Sequence, residues 1–539
     1  MAAIDVRGLS FKYPLCEKAA IEDISFTAAE GETVLVCGEG GSGKSTLLRC
    51  LKRELIPNGE LSGKVLIAGK DRDTLEPRES ACLVGFVGQD CEQQIVTDKV
   101  WHELAFGPES IGLDKNTIAV RVAETAAYFG IYDKLSKSTA SLSGGEKQLL
   151  TLASVMIMQP RVLLLDEPCS QLDPLASRQL AETVARLCRE QAVTVMIAEH
   201  RFEHILPFAD RVMRLEKGRL SFCENKAEAL KRAAEDEALL RAMPAPVRIF
   251  SGLSGEGECP CDTAGARRFV RETFDNSVRS LEMDEKALSA NKALELKNVT
   301  FRYEREGRDI IDGLDLEVSE GECLTLLGAN GSGKSTALGL ISGALKAQTG
   351  SIRIFGKKIK EYKNNSLYQG TLSMLPQDVT ALFTQNSVKE ELEASHITEI
   401  PFGLEKLSER HPYDLSGGER QLLALAKVLA REPKILLLDE PTKSLDAAST
   451  DRLCEIIRSL KQKGMTVLAV SHDTEFCAEV SDRCAVFFSG RLSEPAATVK
   501  VLGENRYFTT ASSLITRDRY DGALTVEDTM RICNMNRRL

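Results

Sequence analysis

The run Gly38-Glu39-Gly40-Gly41-Ser42-Gly43-Lys44-Ser45 returns in the second half of the chain as Gly328-Ala329-Asn330-Gly331-Ser332-Gly333-Lys334-Ser335. The spacing GxxxxGK[ST] leaves few folds open. Its glycines let backbone N–H groups converge on phosphate, its Lys reaches the terminal phosphates, and its Ser hydroxyl ligates Mg²⁺. Each copy follows an apolar, strand-like run, Thr33 to Cys37 and Cys323 to Leu327, and each opens a helix-like one, Thr46 to Leu51 and Thr336 to Ile341. Strand, loop and helix in that order set a phosphate cradle at a helix N-terminus.

The repetition extends beyond the loops. Tyr13 and Tyr303 are 290 residues apart, as are Lys44 and Lys334, while Gln89 and Gln377 differ by 288. Downstream the offset drops to 273 for Ser143 and Ser416 and for Glu167 and Glu440, and to 272 for His200 and His472. The second half is therefore shorter by about fifteen residues between its Gln and its Ser. Ordered motifs repeated at this length imply two duplicated domains, since solenoid periods run to roughly 20 to 50 residues.

Composition fits that reading. A chain of 539 residues accommodates two domains, each with its own core, and contents of 43% hydrophobic and 27% charged residues are those of a globular protein. Apolar stretches such as Val193 to Ala198 are far shorter than the roughly 18 residues of a spanning helix. The opening Met1-Ala2-Ala3-Ile4-Asp5 carries no basic region followed by an apolar one, so residence in the cytosol is expected. The net charge of −10 argues against broad nucleic-acid binding. The fifteen cysteines are scattered through core-like segments; only Cys259-Pro260-Cys261 forms a close couple, with no second pair at zinc spacing.

The expected organisation is a first nucleotide-binding domain over 1–222 and a linker with a probable helix and a Gly/Pro-rich stretch over 223–292. A second domain with a shortened helical region follows over 293–495, and a C-terminal tail over 496–539. The amphipathic stripe of Ile118, Val122, Ala126 and Phe129 predicts a helix within Asn116 to Leu135. A charged, Ala-rich helix is expected from Glu224 to Leu240, with Met243-Pro244-Ala245-Pro246 breaking the pattern after it.

Downstream of each phosphate loop an apolar strand ends in two carboxylates, Val162-Leu163-Leu164-Leu165-Asp166-Glu167 and Ile435-Leu436-Leu437-Leu438-Asp439-Glu440. Such a run reads as a strand buried on both faces, whose C-terminal end faces the phosphate site of an open α/β sheet. Asp166 and Asp439 can then hold Mg²⁺, and Glu167 and Glu440 are placed to polarise the attacking water as general bases. At Leu142-Ser143-Gly144-Gly145-Glu146 and Leu415-Ser416-Gly417-Gly418-Glu419 a turn opens an apolar-periodic helix suited to a second anion contact.

These LSGGE runs, together with the phosphate loops and carboxylate pairs, resemble the ATP-binding cassette (ABC) ATPases. The resemblance implies an α/β fold: two P-loop NTPase domains, each a RecA-like core with an antiparallel β subdomain and a helical subdomain. It implies ATP and Mg²⁺ as ligands. In that family the signature acts in trans, so Lys44 and Ser45 would share ATP with Ser416 and Gly418, and Lys334 and Ser335 with Ser143 and Gly145. The nucleotide would be held by Tyr13 and Tyr303 at adenine. Its phosphates would be held by Gly38, Gly40, Gly41, Ser42, Gly43, Lys44, Ser45 and Thr46 in the first half, and by Gly328, Asn330, Gly331, Ser332, Gly333, Lys334, Ser335 and Thr336 in the second. The metal would be held by Ser45, Gln89 and Asp166, and by Ser335, Gln377 and Asp439. Gln89 and Gln377 match the Q-loop, which touches the metal and the attacking water. Asp173 and Asp446 match the D-loop carboxylate, and His200 and His472 match the switch histidine that contacts γ-phosphate and the general base. Neither half has lost any of these residues, so two hydrolytic sites are expected.

Gln94-Ile95-Val96 and Ala105-Phe106-Gly107-Pro108-Glu109-Ser110-Ile111-Gly112-Leu113, with Ala198-Glu199-His200-Arg201-Phe202, are similar to the energy-coupling factor and cobalt-type ATPases. Val96 stands where that branch has Phe, and Ser110 where it has Asn. The resemblance implies an ATPase on the cytoplasmic face of the membrane, driving uptake of a vitamin or metal ion. Its partners would be an integral membrane coupling protein and a membrane-embedded substrate binder. The alternative is a tandem-cassette translation factor acting on the ribosome. Its long basic helical arm has no counterpart in a linker holding Pro244, Pro246 and Pro260. A DNA-repair cassette ATPase would want clustered Cys pairs.

Overall fold

The computed structural model describes residues 2–14, 16–282, 288–304, 306–363 and 365–538. The chain divides into two compact units, Met1–Pro244 and Ala245–Leu539. Each is an α/β body with a small antiparallel sheet beside a larger, mainly parallel one.

In the first unit, strands Ala2–Lys12, Ile21–Ala29, Glu60–Ile67 and Lys70–Asp71 form the antiparallel sheet. Ile21–Ala29 shows the alternation of a strand with one face covered, Ile21, Ile24, Phe26 and Ala28 turning inward. The larger sheet runs in the order Arg219–Asn225, Arg211–Glu216, Thr33–Cys37, Thr194–Ala198, Val162–Asp166, Val84–Val87. Its central strands are buried along their whole length, the pattern of a parallel sheet covered on both faces. Each buried Val, Leu or Ile there contributes roughly 1.5–3 kcal/mol. Polar residues consequently gather at the strand ends, where the phosphate loop and the Asp-Glu pair lie.

The second unit repeats this plan. Ile311–Ser319, Lys292–Phe301, Thr349–Ile354 and Lys357–Lys358 form its antiparallel sheet. Leu372–Leu375, Ile435–Asp439, Thr466–Ser471, Cys323–Leu327 and Arg483–Phe488 run side by side in the larger one. The helical regions differ. The first unit has the long helices Val100–Ser110 and Lys115–Tyr128 ahead of its signature, where the described residues of the second have the shorter α-helix Val388–Ala394 and single 3₁₀ turns. The buried carboxylate of Glu391 pairs there with Lys427, a pairing that has Ser154 in place of the Lys in the first unit.

Three segments depart from expectation. The helix expected within Asn116 to Leu135 stops at Tyr128, because Gly130 turns into the left-handed region. The charged helix expected from Glu224 to Leu240 begins at Lys226 and is divided at Asp236, which leaves the helical conformation and caps the next helix through the N–H of Leu239. Pro246, read as a breaker, lies in the first turn of helix Ala245–Gly252, where a missing N–H costs nothing. That helix and Thr263–Thr273 pack with the C-terminal helices Ala511–Thr516 and Val526–Met535 around Ile249, Val270, Phe274, Ile515, Tyr520 and Ile532. Part of the expected linker, 283–287, lies outside the described residues. All fifteen cysteines are free thiols.

Candidate active site

Each phosphate loop leaves a fully buried strand and enters a helix at a residue only glycine suits. Gly43 has φ 100° and Gly333 φ 111°, and a Cβ on Gly43 would lie 2.6 Å from the carbonyl oxygen of Ala20. Neither glycine offers the helix a side-chain cap, so the first N–H groups of Lys44–Cys50 and Lys334–Ile341 face the loop interior. Lys44 Nζ donates to the carbonyls of Gly38 (2.7 Å) and Glu39 (3.1 Å), and Lys334 Nζ to those of Gly328 (2.8 Å) and Ala329 (3.0 Å). Both ammonium groups are thereby held across their own loops.

Two buried hydroxyls in these loops, Ser42 Oγ and Ser332 Oγ, have no hydrogen-bond partner. A buried donor left unmade costs about 1–3 kcal/mol. A phosphate oxygen in each cradle would satisfy its hydroxyl, so the loops fit a nucleoside triphosphate. Ser45 Oγ donates to Asp166 Oδ1 at 2.8 Å, and Ser335 Oγ to Asp439 Oδ1 at 2.9 Å. A hydroxyl converging with a carboxylate is a hard-oxygen donor pair suited to Mg²⁺. Burial pushes the carboxyl groups of Asp166 and Asp439 up, against the lowering effect of those hydrogen bonds. A divalent cation would reverse that balance.

The second carboxylate of each pair meets the expected histidine. His200 Nε2 lies 2.8 Å from Glu167 Oε1, and His472 Nδ1 lies 2.8 Å from Glu440 Oε2. Gln89 Nε2 donates to Glu167 Oε2 at 2.9 Å. Gln377 makes no such bond to Glu440, whose other oxygen faces Lys334 Nζ at 3.4 Å. Burial alone would raise the carboxyl of Glu440, yet the adjacent His472, whose backbone N–H donates to it at 3.3 Å, and the charge of Lys334 hold it below its ordinary value. Glu440 is therefore an anion at neutral pH, as a proton acceptor must be. Glu167 and Glu440 share a left-handed φ of 48°, a conformation that costs a non-glycine residue roughly 1–3 kcal/mol.

Tyr13 Oη and Thr46 Oγ1 are 3.1 Å apart, and Tyr303 Oη and Thr336 Oγ1 are 3.2 Å apart, fixing each ring beside its phosphate loop. Tyr303 is 65% exposed, an unusual state for a large aromatic residue and one that leaves its face free to stack.

The signature residues cap helices. Ser143 accepts from the N–H of Glu146 while Glu146 Oε2 accepts from the N–H of Ser143 (2.7 Å), and Ser416 and Glu419 repeat the arrangement. Lys134 and the Ser143 N–H together hold the Glu146 carboxyl down to about 2. The second signature glycine answers to packing. A Cβ on Gly145 would sit 2.9 Å from Ala176 Cβ, and one on Gly418 2.8 Å from Ser449 Cβ. Asp173 and Asp446 cap the helices bearing Ala176 and Ser449 through those residues' N–H groups.

Sequence reasoning missed Glu199. It is buried at the end of Thr194–Ala198, where it accepts from the N–H groups of Cys169 (2.8 Å) and His200 (3.3 Å). Its traces in the sequence are its place in the branch-like run Ala198 to Phe202 and the Ser471 that occupies the matching place in the second half. Among the described residues no cluster of three or more His, Cys, Asp or Glu could hold a metal ion, and no helix is long and apolar enough to cross a membrane.

The family described as ABC transporter matches residues 21–170 and 311–443, one stretch in each unit. A Bacillus cereus protein provisionally named an ABC transporter ATP-binding protein is 34% identical over 554 residues, spanning 99% of this chain and 98% of that protein. A Methanosarcina acetivorans protein of the same provisional name is 32% identical over 535 residues, spanning 92% and 85%. Among solved structures, archaeal ribosome recycling factor aABCE1 in complex with ribosomal stalk protein aP1 covers 92% of this chain and 91% of its own, with a TM-score of 0.58. At 21% identity that likeness concerns the fold alone.

Proposed function

The chain belongs to the ABC transporter family, and on that premise we propose that it is the ATP-hydrolysing component of an importer of energy-coupling factor type. The observation that carries the hydrolytic reading is the paired contact of Glu167 with His200 and of Glu440 with His472, each beside a complete phosphate loop. Lys44 and Lys334 hold the terminal phosphates, and Ser42 and Ser332 donate their unpartnered hydroxyls to phosphate oxygen. Ser45 with Asp166, joined by Gln89, and Ser335 with Asp439, joined by Gln377, would hold Mg²⁺. When bound, that ion neutralises charge developing on the transferring phosphoryl group. Glu167 and Glu440 take a proton from the attacking water, and His200 and His472 fix the carboxylates that do so.

In this reading each ATP is held by the phosphate loop of one cassette and the signature of the other, so binding joins the cassettes and hydrolysis releases them. Fusion in one chain raises the effective concentration of the second cassette. The importer reading rests on the Phe106-Gly107-Pro108-Glu109 series and is supported by Val96 (61% exposed), Phe106 (51%) and Val120 (56%) in the first unit's helical region. Apolar side chains so placed suit a membrane-embedded partner. That partner is the coupling protein, and the transported solute, a vitamin or metal ion in this branch, binds the membrane-embedded component that the coupling protein carries.

The test is fractionation of cells expressing the full chain. Detergent extracts of membranes are expected to contain it with an integral membrane protein that stimulates its ATPase activity. Recovery on salt-washed ribosomes, with none in the membrane fraction, would overturn the reading in favour of a translation factor.

A further inference from the structure

The two cassettes carry a buried carboxylate on opposite sides of the histidine. The first reads Ala198-Glu199-His200-Arg201 and the second Val470-Ser471-His472-Asp473. Glu199 is 2% exposed and Asp473 6%. Both reach the same place, the residue two beyond the general base. Glu199 Oε1 accepts from the N–H of Cys169 at 2.8 Å, and Asp473 Oδ2 accepts from the hydroxyl of Thr442 at 3.0 Å. The histidine backbone is held differently too. His200 N–H donates to Glu199 Oε2 at 3.3 Å, whereas His472 N–H donates to Glu440 itself at 3.3 Å.

The base in each cassette sits in a left-handed backbone conformation. Such a conformation persists only where its surroundings over-determine it. In the second cassette Asp473 is fixed from three sides, by Thr442, by the N–H of Phe476 and by its own N–H donating to Ser471 Oγ. In the first, beside the Glu167 N–H to Ala198 carbonyl bond that matches Glu440 N–H to Val470 in the second, one side-chain carboxyl spans the two backbone segments.

We propose that Glu199 is a positioning residue for hydrolysis in the first cassette, tying the loop that carries Glu167 to the backbone of His200, a task that Asp473 and Thr442 perform in the second. The two sites thus hold like geometries with different, transplantable parts. This rests on the reading of Glu167 and His200 as the hydrolytic pair. The titratable groups facing Glu199 are Glu167, Cys169 and His200, with Glu203 beyond the Cys169 thiol. Burial, with the nearby charge of Glu167, pushes the Glu199 carboxyl up to about 8 despite its backbone hydrogen bonds. The clamp therefore keeps its proton to a higher pH than an ordinary carboxyl, and on losing it sets a second negative charge beside Glu167.

The test uses the full chain and steady-state ATPase kinetics with Mg²⁺-ATP. Glu199→Gln keeps the size of the side chain but cannot accept at both oxygen positions. It is expected to lower kcat by about tenfold, the equivalent of one buried hydrogen bond, with KM for ATP within about twofold. Cys169→Thr/Glu199→Ser/Arg201→Asp, which imports the second cassette's arrangement, is expected to recover kcat to within about threefold of the parent. It should also remove the fall in turnover that the proposal expects of the parent above about pH 8. Unchanged kcat and pH profile in Glu199→Gln would overturn the proposal. So would a triple variant no more active, or no better folded, than Glu199→Ser alone. Glu167→Gln, assayed alongside, separates this failure from failure of the hydrolytic reading: only the latter leaves Glu167→Gln fully active.

Discussion

Replacing Glu440 by Gln removes one negative charge and changes little else. In the parent that charge is buried, 2.8 Å from His472 Nδ1 and 3.4 Å from Lys334 Nζ, and it is held ionised by both. A Gln of the same shape keeps one acceptor oxygen for His472 but cannot take a proton from water. Loss of a general base costs typically 10²–10⁴-fold, or about 2.7–5.4 kcal/mol of transition-state stabilisation at 1.36 kcal/mol per decade. Binding should move the other way. Lys334, relieved of its carboxylate neighbour, is freed toward phosphate, so ATP affinity is expected to be equal to the parent's or higher. The assay is phosphate release at saturating Mg²⁺-ATP, with affinity measured separately by calorimetry on the same preparation. Glu440→Gln and Glu167→Gln should each lower kcat strongly while leaving binding intact, and the double variant should turn over at background. Full ATPase activity in the double variant would refute the assignment of these carboxylates.

Lys44→Ala or Lys334→Ala removes the ammonium that crosses each loop and leaves two carbonyls without their donor, so ATP binding itself should weaken by at least tenfold by calorimetry. Ser42→Ala deletes a buried hydroxyl that has no partner in the ligand-free chain. Its melting temperature without nucleotide should equal or exceed the parent's while its ATP affinity falls, and a melting temperature several degrees lower would contradict the orphaned-donor account. Glu199 ionises near 4.5 when unfolded and near 8 when folded, so the folded chain retains a proton that the unfolded chain releases between those values. Its contribution is intact below about pH 4.5, declines as pH rises, and levels off above about 8. Glu199→Gln should flatten that part of the stability curve, by roughly a few kcal/mol across the window, as read from denaturant melts at pH 5, 7 and 9.

Local spacing carried most of what the sequence disclosed. The phosphate loops, the strands ending in Asp-Glu and the capping boxes are each encoded within a dozen residues, and the repeat made His200 and His472 visible by position. Features built from residues far apart were not legible. Helices Ala245–Gly252 and Val526–Met535 share a core although some 270 residues separate them, and each alone reads as a short segment between turn residues. Glu199 was quoted in the sequence only as part of a branch-like run. Its burial against the N–H of Cys169 follows from the neighbouring strand Val162–Asp166, which sequence order does not reveal. The LSGGE turns read in the sequence as anion contacts; that Gly145 and Gly418 are also required by the approach of the helices beginning at Pro174 and Ala447 is not legible there. Conversely, equal motifs did not guarantee equal contacts. Gln89 donates to its glutamate, whereas Glu440 has Lys334 Nζ at 3.4 Å and no bond from Gln377.

The most direct measurement is a structure of the Glu167→Gln/Glu440→Gln chain with Mg²⁺-ATP. Two triphosphates are expected, one touching Lys44 and Ser416 and the other Lys334 and Ser143. Triphosphates bound through a single cassette each, with both signatures in solvent, would contradict the account.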